Sequence, residues 1–169
     1  MLPLETDRLI LRELTIEDAP FILELVNDPD WLRFIGDKGV RTLVDARVYI
    51  LAGPIAMYQR LGFGLWLVQL KTDGLPIGIC GLIKRDTLEY VDIGFAFLPA
   101  HRGRGYAYEA AMACLEYGRS TLGLDRIVAT TALDNDASGR LLERIGLRFE
   151  RVIQLAPDSP DLKLYGRDL

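Results

Sequence analysis

The sequence predicts an α+β fold built on one mixed sheet, and three observations point to it. The periodic segments run β, α, α, then three consecutive strands, then α, β, α, β, β. Consecutive strands followed by alternation belong to a mixed sheet rather than a doubly wound one. The chain has 169 residues, 50% hydrophobic and 26% charged, which is globular and suits one domain with a substantial core. Only turn residues separate the segments, without repeat, low-complexity tract or linker, so residues 1–169 are expected to form a single domain.

Each element has its own signal. Leu9, Ile10, Leu11 and Leu14 give a first strand over roughly residues 7–14. Thr15-Ile16-Glu17-Asp18 reads as a helix start, with an acidic residue three after the threonine. Phe21, Ile22, Leu25 and Val26 follow at helical spacing, and Trp31 to Gly39 reads as irregular. A second helical stretch is expected from near Thr42 to before Gly62, kinked at Pro54. Phe63 to Leu70, Ile77 to Ile83 and Glu89 to Leu98 are apolar runs parted by turns, hence strands. Ala107, Ala110, Ala111, Cys114 and Leu115 form one helical face. Arg126 to Thr131 reads as a strand, Ala137 to Ile145 as a helix stopped at Gly146, and 147–155 and 162–168 as closing strands.

Composition narrows the function. Lys plus Arg is 20 and Asp plus Glu 24, a net charge of −4 that disfavours nucleic acid or an anionic membrane as partner. The longest uncharged stretch, Val48 to Gln59, is interrupted by Gly53 and Pro54 and is too short to span a bilayer. The opening residues lack the basic start and apolar run of an export signal, so the expected location is cytoplasmic. Two cysteines and one histidine make neither a disulfide framework nor the usual zinc site, and no metal is expected.

The informative segment runs from Tyr90 to Ala107, a strand leading through His101-Arg102-Gly103-Arg104-Gly105 into a helix. A helix start offers free N–H groups and a positive dipole end to an anion. Gly103 and Gly105 let the backbone approach a phosphate closely. A dinucleotide fingerprint fails because Tyr108 stands where its third glycine would be. A P-loop fails for want of Gly-Lys-Ser/Thr. Along the strand, Val91, Ile93, Phe95 and Phe97 share a face that reads as core. Tyr90, Asp92, Gly94 and Ala96 share the other, which suits the floor of a cleft.

Arg102-x-x-Gly105-x-Ala107 fits a different pattern, Q/R-x-x-G-x-G/A, the loop that wraps the pyrophosphate of coenzyme A. With the opening Glu5-Thr6-Asp7-Arg8-Leu9-Ile10-Leu11-Arg12, Gly105-Tyr106-Ala107-Tyr108-Glu109-Ala110, Asn135-x-x-Ser138 and Glu143-Arg144-Ile145-Gly146-Leu147, the chain resembles the GNAT acyltransferase superfamily over nearly its whole length. The likeness is strongest to the RimJ/RimL type of ribosomal-protein N-terminal acetyltransferase.

That resemblance implies a GNAT fold: a mixed sheet of about seven strands whose fourth strand is bulged and splayed. It implies acetyl-CoA as cofactor, held by Arg102, Gly103, Arg104, Gly105, Tyr106, Ala107 and Asn135, with main-chain contacts from Ala96 and Leu98. A bulge leaves backbone unpaired, and such an N–H, aimed where negative charge develops on the acyl oxygen, is an oxyanion hole. Asp92 lies ten residues before Arg102, where some members carry a glutamate general base, and is one methylene shorter. An ion-paired or solvated carboxylate is its plain alternative. Asn135 suits both a helix cap and hydrogen bonding to the pantetheine amides. Ser138 matches the serine that would protonate the departing thiolate, with a water as the competing proton source. A tyrosine seven residues after the asparagine, used in another branch, is Leu142 here.

Cys80 and Cys114 read as core, and the side chains of Arg102, Arg104 and Arg140 as candidates for the phosphates or simply solvated. Trp31, Phe34 and Asp37 fall in the segment that lines the acceptor cleft in this family, and are equally consistent with a packed loop. The function expected is N-acetyl transfer to a primary amine in a ternary complex, by a monomer or homodimer, the acceptor being a peptide or protein N-terminus. A small-molecule amine, a non-catalytic acyl-CoA-binding regulatory domain and an unrelated nucleotide-binding module are the alternatives.

Overall fold

The computed structural model describes residues 3–169; Met1 and Leu2, the start of the segment read as lacking an export signal, lie outside the described residues. The chain opens with β1 (Leu4–Glu5) and β2 (Leu9–Arg12), then four helices: α1 (Ala19–Leu25), α2 (Pro29–Phe34), α3 (Leu43–Ile50) and α4 (Ala56–Leu61). Strands β3 (Leu65–Leu70), β4 (Pro76–Ile83) and β5 (Asp92–Phe97) precede α5 (Tyr106–Ser120). Then come β6 (Arg126–Ala132), α6 (Asp136–Arg144), β7 (Arg148–Ile153) and β8 (Leu162–Asp168). They build one eight-stranded mixed sheet in the order β1-β2-β3-β4-β5-β6-β8-β7. Every neighbouring pair is antiparallel except β5 with β6.

Local signals account for most elements. Thr15 and Asp18 form the expected capping box ahead of α1, and Thr42 with Asp45 forms another at α3. Pro54 sits in a wide turn, Leu51–Ile55, between α3 and α4, and Gly62 ends α4 in the left-handed conformation. Two expectations need correction. The strand read over 7–14 is shorter, β2 over Leu9–Arg12, and an unforeseen β1 at Leu4–Glu5 precedes it and pairs with it antiparallel. The segment from Trp31 read as irregular begins inside α2, because Asn27-Asp28-Pro29 is a helix start and not a break. Asp28 accepts from Asp30 N–H at 3.1 Å, and Pro29 takes the first helical position.

The sheet separates two apolar clusters. Trp66 and Val68 pack toward α5, whose Ala110, Ala111, Cys114 and Leu115 are buried as the periodicity predicts. Leu67, between them, packs with Ile22, Leu25, Ala46 and Ile50 of α1 and α3. Cys80 and Cys114 are both fully buried free thiols with sulfurs 3.6 Å apart, and burial pushes the Cys114 thiol well up, so they serve as core. Among the described residues, no helix is long and apolar enough to cross a membrane.

The feature that positions the site is the junction of β5 and β6. Their only register partners are Asp92 and Val128, where Val128 N–H donates to Val91 O at 3.1 Å. From there β5 follows β4 to Phe97 while β6 follows β8, and a wedge opens between the two halves of the sheet. The splay is as the resemblance implies, but the bulge is not seen in the pairing of β5 with β4, which is unbroken from Gly78–Phe97 to Ile83–Asp92.

Candidate functional site

The unbroken register decides which main-chain groups face the wedge. Leu98 N–H donates to Ile77 O at 3.0 Å, so it points to β4. Main-chain groups alternate sides along an antiparallel strand, so Ala96, paired with Ile79, also points to β4. Phe95 and Phe97 point the other way, and Phe97 O accepts from Arg102 Nη2 at 2.8 Å on that side. The expectation of free N–H donors at Ala96 and Leu98 is therefore off by one residue, because it presumed a bulge that would have changed the alternation. Leu98 lines neither cavity of the wedge, whereas Ala96 lines both.

The first cavity, of about 520 Å³, lies against the start of α5. Gly103, Gly105, Tyr106, Ala107 and Tyr108 form its rim. Gly103 and Gly105 have φ of +75° and +81°, conformations that favour glycine. No side chain caps α5, and its first internal bond is Glu109 N–H to Gly105 O, so the N–H groups of 106–108 are left for a ligand. The loop is pinned from behind by the opening segment. Glu109 accepts from Thr6 Oγ1 at 2.5 Å, Arg8 N–H at 2.8 Å and Arg8 Nε at 2.7 Å, while Arg8 Nη1 donates to Arg104 O at 2.9 Å. Arg144 also lines this cavity, its guanidinium 4.8 Å from the Tyr108 ring centre.

The second cavity, about 300 Å³, lies on the other side of the wedge. Asn135 and Ser138 stand in the wall common to both cavities, with Trp31, Phe34, Ile35, Phe95 and Ala96. Asn135 caps α6, its Oδ1 accepting from Ser138 N–H at 3.2 Å, which leaves its amide nitrogen free. The Ser138 hydroxyl has no partner in the described chain and opens onto both cavities. Asp92 lines the second cavity with its side chain 3% exposed. Oδ2 meets Arg85 Nε at 3.4 Å, a long contact, and Oδ1 has no partner. Burial pushes its carboxyl above the usual range, against the opposing pull of Arg85. Trp31 Nε1 and Thr131 Oγ1, also buried without partners, line the same cavity. Unpaired buried polar atoms are costly, and these three lie within the wall of the cavity, closed off from solvent.

Most predicted site residues meet here; besides Leu98, the exceptions are Arg102, Arg104, Asp37 and Arg140. Arg102 lines the first cavity, but its guanidinium is committed to Phe97 O, Asp28 and Asp30, tying the loop to α2. Arg104 offers its carbonyl to Arg8 and lines neither cavity. Asp37 is exposed, accepting from Gly39 N–H at 2.8 Å and pairing with Arg41 four residues on in the same loop; its neighbour Lys38 is the residue in the cavity wall. Arg140 also lines neither cavity. Lys38, Arg85, Thr131 and Arg144 escaped the sequence reading. For Thr131 the alternation of β6 was a usable signal; the others come from loops and a helix end that only the fold brings together.

Residues 8–148 match the family model described as an acetyltransferase (GNAT) domain. The chain is 32% identical over 152 residues to the uncharacterized N-acetyltransferase YoaA of Bacillus subtilis (strain 168), spanning 89% of this chain and 85% of that protein. An acetyltransferase from Agrobacterium tumefaciens has a similar structure, with a TM-score of 0.82 and 28% identity over 99% of this chain and 94% of that one. RimL, an α-N-protein acetyltransferase of ribosomal L7/L12 solved with coenzyme A, superposes with a TM-score of 0.84 over 99% and 98% of the two chains. At 19% identity that likeness is one of fold.

Proposed function

The chain belongs to the GNAT acetyltransferase family, and from that premise we propose that it is an acetyl-CoA-dependent N-acetyltransferase whose primary-amine acceptor takes the acetyl group directly in a ternary complex. The observation that carries this reading is the shared wall. Ser138 and Asn135 stand between a cavity bounded by the glycine loop and one that holds an unpartnered carboxylate oxygen.

When bound, the thioester supplies an activated acetyl group. The N–H groups of 106–108, at the positive end of α5, are placed for the pyrophosphate, and Arg144 adds a cation on the same wall. The free amide nitrogen of Asn135 is placed for the pantetheine arm. Phe95 and Phe97 direct their N–H groups into the wedge, where they would stabilise negative charge on the acyl oxygen. The Asp92 carboxylate accepts the proton of the attacking amine, directly or through one water. The Ser138 hydroxyl gives its proton to the departing sulfur and recovers one from solvent.

A peptide or protein N-terminus is the acceptor this machinery suits, along the line of the Rim-type resemblance. An α-amino group with pKa near 7.7–8.0 is about one-tenth neutral at pH 7, whereas a lysine amine near 10.4 is neutral about once in 2,500. The test has two stages. Calorimetry with coenzyme A asks whether the cofactor binds. Free thiol released from acetyl-CoA then compares a peptide with a free N-terminus against the same peptide blocked there and bearing a lysine. Binding with release only from the free N-terminus is expected. Binding without release under any amine would make the chain a non-catalytic acyl-CoA-binding domain, and a preference for the blocked lysine peptide would overturn the acceptor.

A further inference from the structure

The second cavity carries more charge information than the proposed chemistry uses. Its ionisable wall residues, apart from the neutral phenol of Tyr49, are Lys38, Arg85 and Asp92, two cations to one carboxylate. The site is thus locally positive in a chain of net charge −4. Arg85 spends only its Nε, on the 3.4 Å contact to Asp92, and both terminal nitrogens are without partners in the described chain. The Lys38 ammonium has none either. Arg85 is partly sheltered, its side chain 40% exposed, so a ligand charge beside it would be screened less than on an open surface.

A simple amine satisfies half of this site. Its nitrogen can meet the Asp92 carboxylate, but the arginine fork and the lysine stay unanswered. A polyamine adds positive charge to a positive cavity. An amine that also carries a carboxylate answers both poles. The amine end meets Asp92, and the carboxylate accepts from Arg85, whose planar pair of terminal nitrogens matches a carboxylate's two oxygens. Lys38 adds a second cation to the same wall. A volume of about 300 Å³ is at the small end of ligand pockets and suits one or two amino-acid units.

We propose that the acceptor is a primary amine bearing a nearby carboxylate, held with its amine at Asp92 and its carboxylate between Arg85 and Lys38. The inference rests on reading the second cavity as the acceptor site. The same chemistry comes from two sources, a free amino acid or a peptide with an acidic residue next to its free N-terminus, and the assay separates them. Initial rates of thiol release are compared for free alanine and alaninamide, for three peptides that differ only in Asp, Asn or Lys at the second position, and for spermidine.

The carboxylate-bearing member of at least one series, alanine or the Asp peptide, is expected to exceed its amide counterpart in kcat/KM by about tenfold or more, the worth of one charge-assisted contact. The Lys peptide and spermidine should be poorest. Lys38→Glu should erase or invert the order of the Asp and Lys peptides while the affinity for acetyl-CoA, measured by calorimetry, stays unchanged. Equal rates across each series, a preference for Lys or spermidine, or an acidic preference that Lys38→Glu does not reduce would each overturn the proposal and leave acetyl transfer standing. Binding of coenzyme A with no turnover of any amine would overturn the transferase reading, and this inference with it.

Discussion

Asp92 occupies a position that stability alone does not favour. Its carboxyl is buried, has one long ionic contact and leaves an oxygen unsatisfied. Because burial raises its folded-state titration above that of an unfolded aspartate, the native state keeps a proton that the unfolded chain has already released. Stability therefore falls as pH rises from the ordinary aspartate range to the raised folded value, and stays lower above it. Asp92→Asn removes that penalty. Its melting temperature at neutral pH should equal or exceed the wild type's, with the difference closing as pH drops below the ordinary aspartate range. Activity should move oppositely, kcat/KM falling by about 10²–10⁴-fold, with loss of the acidic limb on which the wild-type rate rises with pH. A melting temperature clearly below wild type would show that the carboxylate is a structural ion pair. Ser138→Ala probes the other proton. It should lower kcat by about 10–10⁴-fold with acetyl-CoA affinity unchanged, and an unchanged kcat where chemistry limits the rate would remove Ser138 from the mechanism.

At the scale of elements, the glycine loop is a conformation held in place from two sides. Arg8 and Glu109 fix it to the opening strands, and Arg102 fixes it to α2. This gives a physical reason for the opening Thr6-Asp7-Arg8 and for Glu109, residues that spacing alone could not link because they lie about a hundred positions apart. The loop and both of its glycines were legible because phosphate binding demands a local pattern. The arginine side chains were not, since a guanidinium's partner depends on which helix packs beside it; Arg102 turns to the N-terminus of α2, a helix whose second half lies in the stretch read as irregular. Gly105→Val tests the loop. Its φ of +81° disfavours a side chain by about 1–2 kcal/mol, and the new Cβ would lie 3.3 Å from Arg8 Nη2. Coenzyme A affinity should fall at least about tenfold by calorimetry, with the far-ultraviolet circular dichroism unchanged. Gly103→Ala is the control: it shares the backbone strain, but its Cβ meets nothing within 4 Å, so its loss should be smaller. Equal affinity for the Gly105 variant and wild type would move the phosphate site elsewhere.

Over the whole molecule, the sheet is two halves joined at Asp92 and Val128 and parted beyond them. The succession of strands and helices along the chain was readable from hydrophobic periodicity, but the order of strands in the sheet and the direction in which each β5 amide points were not. That direction flips with a single bulge, and a bulge has no signature in an apolar run such as Ile93-Gly94-Phe95-Ala96-Phe97. Amide hydrogen exchange resolves it. Gly94, Ala96 and Leu98 face β4 inside the ladder, and their amides should exchange only through large-scale opening, a route closed by several kcal/mol in a stable domain. Phe95 and Phe97 face the wedge without a strand partner, and their amides should exchange about a hundredfold faster or more despite the burial of the Phe97 side chain. Val128, bonded to Val91 O across the junction, should side with the protected set. Coenzyme A, and acetyl-CoA more strongly, should then slow Phe95 and Phe97 while leaving Gly94 and Leu98 as they were, because only the wedge-facing amides gain an acceptor. Protection at Phe95 and Phe97 without ligand, together with fast exchange at Ala96 and Leu98, would mean that β5 carries the bulge after all and that the acyl oxygen is held by the even-numbered amides.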